Sequence, residues 1–165
     1  MFVFNHIEQQ RPTAGCQLYK KYGIKGVRGE AADGFPTVLN TGIPILKKAL
    51  AEGYTKDEAG SITLLYLLSE AVDTNIIARS DYPTYIDVKK QLNEILNKEK
   101  YPAAAIIRDL DHQFISKNLS PGGAADLLAI CWFLYFIDCD DGESIEFLLN
   151  YYNCSIQYAV FYERL

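Results

Sequence analysis

The sequence has one Met, one Trp and two His, and its six Pro and 11 Gly are too few for a low-complexity or fibrous chain. The four cysteines, Cys16, Cys131, Cys139 and Cys154, form no C-x-x-C pair, and their irregular spacing argues against a zinc site. Cys131 lies in an apolar run and reads as a core residue. A basic stripe is missing too. Sixteen Lys and Arg stand against 21 Asp and Glu, for a formal net charge of -5. Such a chain is a poor coat for nucleic acid, which requires clustered cations. Any anionic ligand must be held by a few local charges and backbone N–H groups. The longest apolar run, Leu127 to Ile137, falls short of the roughly 20 residues a membrane span needs. Met1 to Phe4 is apolar, but no basic-then-apolar leader is present. A reduced cytoplasmic protein, bound to neither membrane nor nucleic acid, is the expectation. No metalloprotease motif, Walker loop or nucleophile elbow occurs. His6 and His112 read as ordinary surface residues.

What remains is a globular composition, 49% apolar and 22% charged over 165 residues. That is one domain's worth of chain, able to bury roughly 70% of its unfolded surface. Strand alternation is nearly absent, and helical spacing dominates. The pattern predicts helices over Thr13–Tyr22, Pro44–Glu52, Thr55 to about Val72, Thr84–Lys98, Pro102–Ile115, Ala124–Ile137 and Glu143–Arg164. Gly53 serves as a C-cap and Thr55-Lys-Asp-Glu58 as a capping box. The fold class is all-α, a single bundle of about seven helices across residues 1–165. The Ala124–Ile137 helix, apolar nearly all round, is expected in the middle of that bundle.

Three polar clusters interrupt the apolar text. Arg28-Gly-Glu-Ala-Ala-Asp-Gly-Phe-Pro36 sets a cation and two acids between glycines, in a segment from Gly23 to Pro36 that reads as a loop with room for one helical turn. Read blandly, it is a solvated surface loop. Glu70-Ala-Val-Asp73-Thr-Asn75, followed by Arg79, spaces two carboxylates so that a continuous helix would put both on one face. Paired carboxylates suit acid–base work or a hard cation such as Mg2+. Alternatively, Asp73 or Thr74 caps a helix containing Ile76 and Ile77. Ser120-Pro-Gly-Gly-Ala-Ala-Asp126 opens a helix with Ser120 at N-cap and Pro121 at N1. Gly122 and Gly123 there either bare N–H groups for a phosphate or permit close packing. Asp126 reads either as a functional acid or as a first-turn charge favoured by the helix dipole.

In this order, the clusters resemble the triphosphoribosyl-dephospho-CoA synthase family. The matching text is Tyr22-Gly-Ile-Lys-Gly-Val-Arg-Gly-Glu-Ala-Ala-Asp-Gly-Phe-Pro36, Val72-Asp-Thr-Asn-Ile-Ile77 with Arg79, and Asn118-Leu-Ser-Pro-Gly-Gly-Ala-Ala-Asp-Leu-Leu-Ala129. The resemblance runs from about Thr13 to Ile137 and is to the C-terminal half of the family. The Pro-Lys-Pro-Gly and Thr-His-Lys-Gly segments of the N-terminal half are absent. Ser80-Asp81 stands where the family usually has two glycines. A truncated or split C-terminal half is therefore expected.

The resemblance implies a transferase that prepares the prosthetic-group precursor of citrate lyase and malonate decarboxylase. It joins the triphosphoribosyl part of ATP to a ribose hydroxyl of 3′-dephospho-CoA and releases adenine. The implied roles are Glu30, Asp73 and Asp126 as catalytic acids or bases. Arg28, Arg79, Gly122 and Gly123 would hold phosphates, with Glu70, Asn75 and Ser120 also at the substrate. Glu70 and Asp73 would carry Mg2+. A homo-oligomer or an N-terminal-half partner would cover exposed apolar surface, with the aromatic C-terminal helix over 138–165 as its seat. Two other readings stay open. One is a non-catalytic helical remnant that binds nucleotide or a partner. The other is an unrelated helical hydrolase using the same acids with Mg2+.

Overall fold

The computed structural model describes residues 14–139, and these form eight α-helices and one π-helical turn. Among the described residues there is no strand. The expected Glu143–Arg164 helix, Cys154 and His6 lie outside the described residues. In chain order the elements are α1 (Ala14–Tyr22), α2 (Val27–Ala32), a π-turn (Val38–Gly42), α3 (Ile43–Ala51), α4 (Lys56–Glu70), α5 (Thr74–Arg79), α6 (Tyr82–Lys98), α7 (Ala104–Ser116) and α8 (Gly122–Cys139). The chain falls into two compact units, divided within α8 between Cys131 and Trp132.

The first unit is organised around α4. The expected capping box starts it: the Thr55 hydroxyl accepts the Glu58 N–H, and the Glu58 carboxylate accepts the Thr55 N–H at 2.9 Å. Ala59, Gly60, Ile62, Thr63, Leu65, Leu67, Leu68 and Ser69 are all buried, so α4 is covered on nearly every side. It packs against α3, α6 and the π-turn. Thr63 pairs its buried hydroxyl with the Ala59 carbonyl at 2.7 Å. This central place was expected for the last apolar helix. Within the first unit, α8 instead buries one stripe, Gly123, Ala124, Leu127 and Cys131, and exposes Ala125, Asp126 and Ala129. The π-turn reaches this core at Gly42, where a Cβ would strike Cys131 Sγ. In the second unit, Trp132 stacks on Phe136 at 5.5 Å between centroids, with Tyr135 edge-on to Trp132 at 5.7 Å.

Several boundaries differ from expectation. The fourth helix stops at Glu70 rather than Val72, because Ala71 turns extended at ψ 161°. The segment read as a loop contains α2, a helix of six residues. Pro83 lies in the first turn of α6, where its missing N–H costs nothing. Both short helices, α2 and α5, are below the length that is stable alone, so tertiary contacts hold them. They are also the elements that build the candidate site.

Candidate functional site

Two distant chain segments converge on the N-terminal end of α8, and each contact among the three has a glycine. Gly26 takes φ +57°, and a Cβ there would lie 2.7 Å from Thr74 Cγ2. A Cβ on Gly123 would meet Asp73 Cγ and Oδ2 at 3.2 Å and Val27 Cγ2 at 3.3 Å. A Cβ on Gly122 would collide with Asn75 Nδ2. The segments 25–29, 73–75 and 122–123 thus press together more tightly than side chains would allow. Close packing, one of the two expectations for Gly122 and Gly123, is present here.

Asp73 is the pivot of that contact. Its residue is 1% exposed. Oδ1 accepts the N–H groups of Asn75 at 2.8 Å and Ile76 at 3.2 Å, which makes Asp73 the N-cap of α5. Oδ2 accepts the N–H of Ala124 at 2.9 Å, capping α8 from a distant part of the chain. The sequence placed Ser120 in that capping role. However, Pro121 O accepts the first ladder bond, from Ala125 N–H at 2.9 Å, so Ser120 lies outside the helix. One carboxylate therefore satisfies donors at two helix starts, where negative charge is favoured.

Beside this contact lies a cavity of about 370 Å³. α1 contributes Gly15, Cys16 and Tyr19, and α2 with the turn before it contributes Lys25, Val27 and Arg28. α5 gives Thr74 and Asn75, and α8 gives Gly123 and Asp126. Arg28, Asn75, Gly123 and Asp126, all sequence-predicted, are brought together here. A first-turn charge is one of the two readings of Asp126; α8 starts at Gly122 and holds no acid in its first turn, so Asp126 lies just beyond the turn where the dipole effect is strongest. Among the described residues, the cavity lining carries two cations, Lys25 and Arg28, and one acid, Asp126. With Asn75, Thr74 and Tyr19 as hydrogen-bonding partners, it can hold an anion and a hydroxylated sugar.

The other predicted residues are placed elsewhere. Glu30 accepts the Thr37 hydroxyl at 2.6 Å and the Thr37 N–H at 3.1 Å, tying α2 to the π-turn across the kink at Gly34 and Phe35. Arg79 Nη1 donates to Asn118 Oδ1 at 3.4 Å. Ser120 lines a separate apolar hollow of about 390 Å³, with Leu64 and Leu68 of α4 and Phe114 of α7. Glu70 ends α4, while Asp73 caps α5. The helix that would put both carboxylates on one face is broken between them, contrary to the spacing argument. The Glu70 carbonyl accepts Lys89 Nζ at 3.1 Å, and burial pulls the Lys89 ammonium below its ordinary range. No group of three His, Cys, Asp or Glu able to hold a metal ion occurs among the described residues.

Sequence reasoning did not single out Tyr19, Cys16, Thr74 or Lys25 as site residues. Lys25 was legible as a cation inside the Gly-rich motif. The α1 residues gave no signal, because that helix reads as an ordinary amphipathic stretch.

The sequence profile of ATP:dephospho-CoA triphosphoribosyl transferase, CitG, matches residues 3–145. The chain belongs to this family. A probable 2-(5''-triphosphoribosyl)-3'-dephosphocoenzyme-A synthase of Pectobacterium carotovorum is 41% identical over 123 residues, 74% of this chain and 40% of the relative. Likewise-named proteins of Photobacterium profundum and Streptococcus equi are each 37% identical, over 80% and 76% of this chain and 44% and 43% of theirs. The chain thus spans about two-fifths the length of the curated relatives it matches. No solved structure matches it. The described residues that line the cavity all fall inside the stretch matched by the transferase profile. Among the described residues, no helix is long and apolar enough to cross a membrane.

Proposed function

We propose that this chain carries the polyphosphate and ribose site of a triphosphoribosyl-dephospho-CoA synthase. In this reaction a ribose hydroxyl of 3′-dephospho-CoA attacks the anomeric carbon of ATP. The N-glycosidic bond breaks, adenine leaves with a proton, and the hydroxyl proton passes to a base. The observation that carries this reading is the cavity, where Arg28, Asn75, Gly123 and Asp126 meet from three distant segments.

Arg28 binds phosphate oxygens through its planar fork. Asn75 and Thr74 hydrogen-bond the sugar. Asp126, the one carboxylate among the described residues that line the cavity, stands by a cation-like sugar transition state or takes the hydroxyl proton. Glu30 and Asp73 act here by holding the wall in shape, through Thr37 and through the starts of α5 and α8. Mg2+ belongs to this reading as a companion of the triphosphate, for which one or two carboxylates plus phosphate oxygens are the usual ligands. Glu70 and Asp73 do not fit as its protein ligands. They sit on different helices, and the Asp73 oxygens face three N–H donors. Pairing with a second copy or with a chain supplying the rest of a synthase also belongs to the proposal.

A second reading rests on the same cavity: a nucleotide-binding site without turnover. Incubation with ATP and 3′-dephospho-CoA, followed by chromatography for free adenine, separates the two. Adenine release lost in Asp126→Asn supports the transferase. ATP binding lost in Arg28→Met, with no adenine released by the wild type, supports the second reading. Absence of both binding and release overturns both.

A further inference from the structure

We propose that Lys25 is a second polyphosphate-binding residue of the cavity, and that position 29 is glycine so that Lys25 can lie in it. This rests on the reading that the cavity holds a polyphosphate. Lys25 sits in the turn before α2, between Gly23 at φ +69° and Gly26 at φ +57°. The contact of Gly26 with Thr74 presses that turn onto the first residue of α5. From there the Lys25 stem runs back along α2. A Cβ on Gly29 would lie 2.5 Å from Lys25 Cβ and 3.1 Å from Cδ. Gly29 is buried although it belongs to a six-residue surface helix. Its flank is covered by the lysine stem, the apolar part of an amphipathic side chain.

The consequence is a pair of cations on one wall. Lys25 and Arg28 both line the cavity, with Thr74 and Asn75 on another side. A polyphosphate presents several anionic oxygens in a row, and two cations of different geometry match it better than one. Arg28 offers a fork and Lys25 a point charge. A helix interior would gain from Ala at position 29. Glycine there costs helix stability and is explained by the passage of the lysine. If Lys25 merely covered α2, its ammonium would be dispensable and its stem would do all the work.

The test is calorimetric titration of inorganic tripolyphosphate into the full chain at low salt, with thermal unfolding measured alongside. Lys25→Met keeps the stem and removes the charge. It is expected to weaken binding by about tenfold with an unchanged melting temperature, while Lys25→Arg stays within about threefold of wild type. Gly29→Ala keeps both cations and is expected to weaken binding similarly, by displacing Lys25. Wild-type affinity in Lys25→Met, with binding lost in Arg28→Met, overturns this inference and leaves the cavity reading standing. No binding of tripolyphosphate by the wild type overturns both.

Discussion

The carboxylate of Asp73 accepts the backbone N–H of Ala124, 51 residues away, at 2.9 Å. Through the same group it also caps α5. A single buried side chain therefore fixes the start of one helix against the start of another. Removing it orphans donors at both. Asp73→Ala is expected to lower stability by about 2–4 kcal/mol, combining cap loss and unsatisfied buried N–H groups. Asp73→Asn should cost less, since its amide oxygen still accepts one of the two sets. Urea unfolding midpoints check this, and a wild-type midpoint in Asp73→Ala would refute the pivot role.

The glycines at the α8 start set helix propensity against packing. Propensity favours Ala over Gly by about 1 kcal/mol in a helix interior. Packing opposes it, because a Cβ on Gly122 or Gly123 meets Asn75 or Asp73. Gly122→Ala and Gly123→Ala are expected to lower the melting temperature. Among the described residues nothing lies within 4 Å of the Cβ position of Gly15 in α1, so Gly15→Ala should raise it. Differential scanning calorimetry of the three variants decides the matter by the sign of each shift.

Glu30 and Asp126 should separate in their effects. Glu30→Ala cuts two hydrogen bonds to Thr37 and is expected to cost about 1–2 kcal/mol of stability. Its effect on tripolyphosphate affinity should stay within a factor of about three. Asp126 is exposed and lines the cavity, so Asp126→Asn should leave stability unchanged while abolishing adenine release. A stable Glu30→Ala protein with lost binding would reverse the two assignments.

Alkaline titration gives a further check. Burial pushes the Tyr85 phenol from 10.0 up to about 12, with Tyr82 and the Asp73 charge acting in the same direction. The folded state holds this proton more tightly than the unfolded state. Stability from this group is intact below pH 10 and is lost as pH rises toward 12, by at most about 2 kcal/mol. Cys131 adds a similar loss at lower pH, its thiol being pushed from 9.0 to about 11 by burial. Tyr85→Phe should remove the later part of the alkaline decline and leave the earlier. Absorbance titration should show one phenol fewer ionising near pH 12.

The acid-sensitive caps work in the opposite sense. The Thr55 backbone and side chain hold the Glu58 carboxyl below its ordinary 4.5, and the Thr84 bonds hold Asp81 below 3.8. Both contribute stability above those values and lose it as pH falls through their lowered folded ranges. Thr55→Ala should flatten the Glu58 part of the acid unfolding profile followed by circular dichroism.

How much of this was legible depends on how local each interaction is. The Thr55–Glu58 box could be read because both partners lie within one turn. Gly53, at φ +92° after α3, was legible for the same reason. The cavity was legible only as a set of polar clusters. Its acids could be named, yet nothing local told Asp126, which lines it, from Glu30, which binds Thr37. Asp73 could be read as a cap for α5, since Asn75 and Ile76 follow it directly. Its bond to Ala124 could not, because no local pattern links residues so far apart.

Periodicity and capping chemistry in the sequence determined an all-helical chain, its longer helices and the family motifs. Those depend on contacts within a turn or two, which residue order sets directly. Tertiary structure alone decided that α4 is the central helix and that α2 and α5 form at all. It also decided which acids face the cavity. Short helices and buried carboxylates gain their stability from neighbours brought together by folding, and their placement follows from that packing.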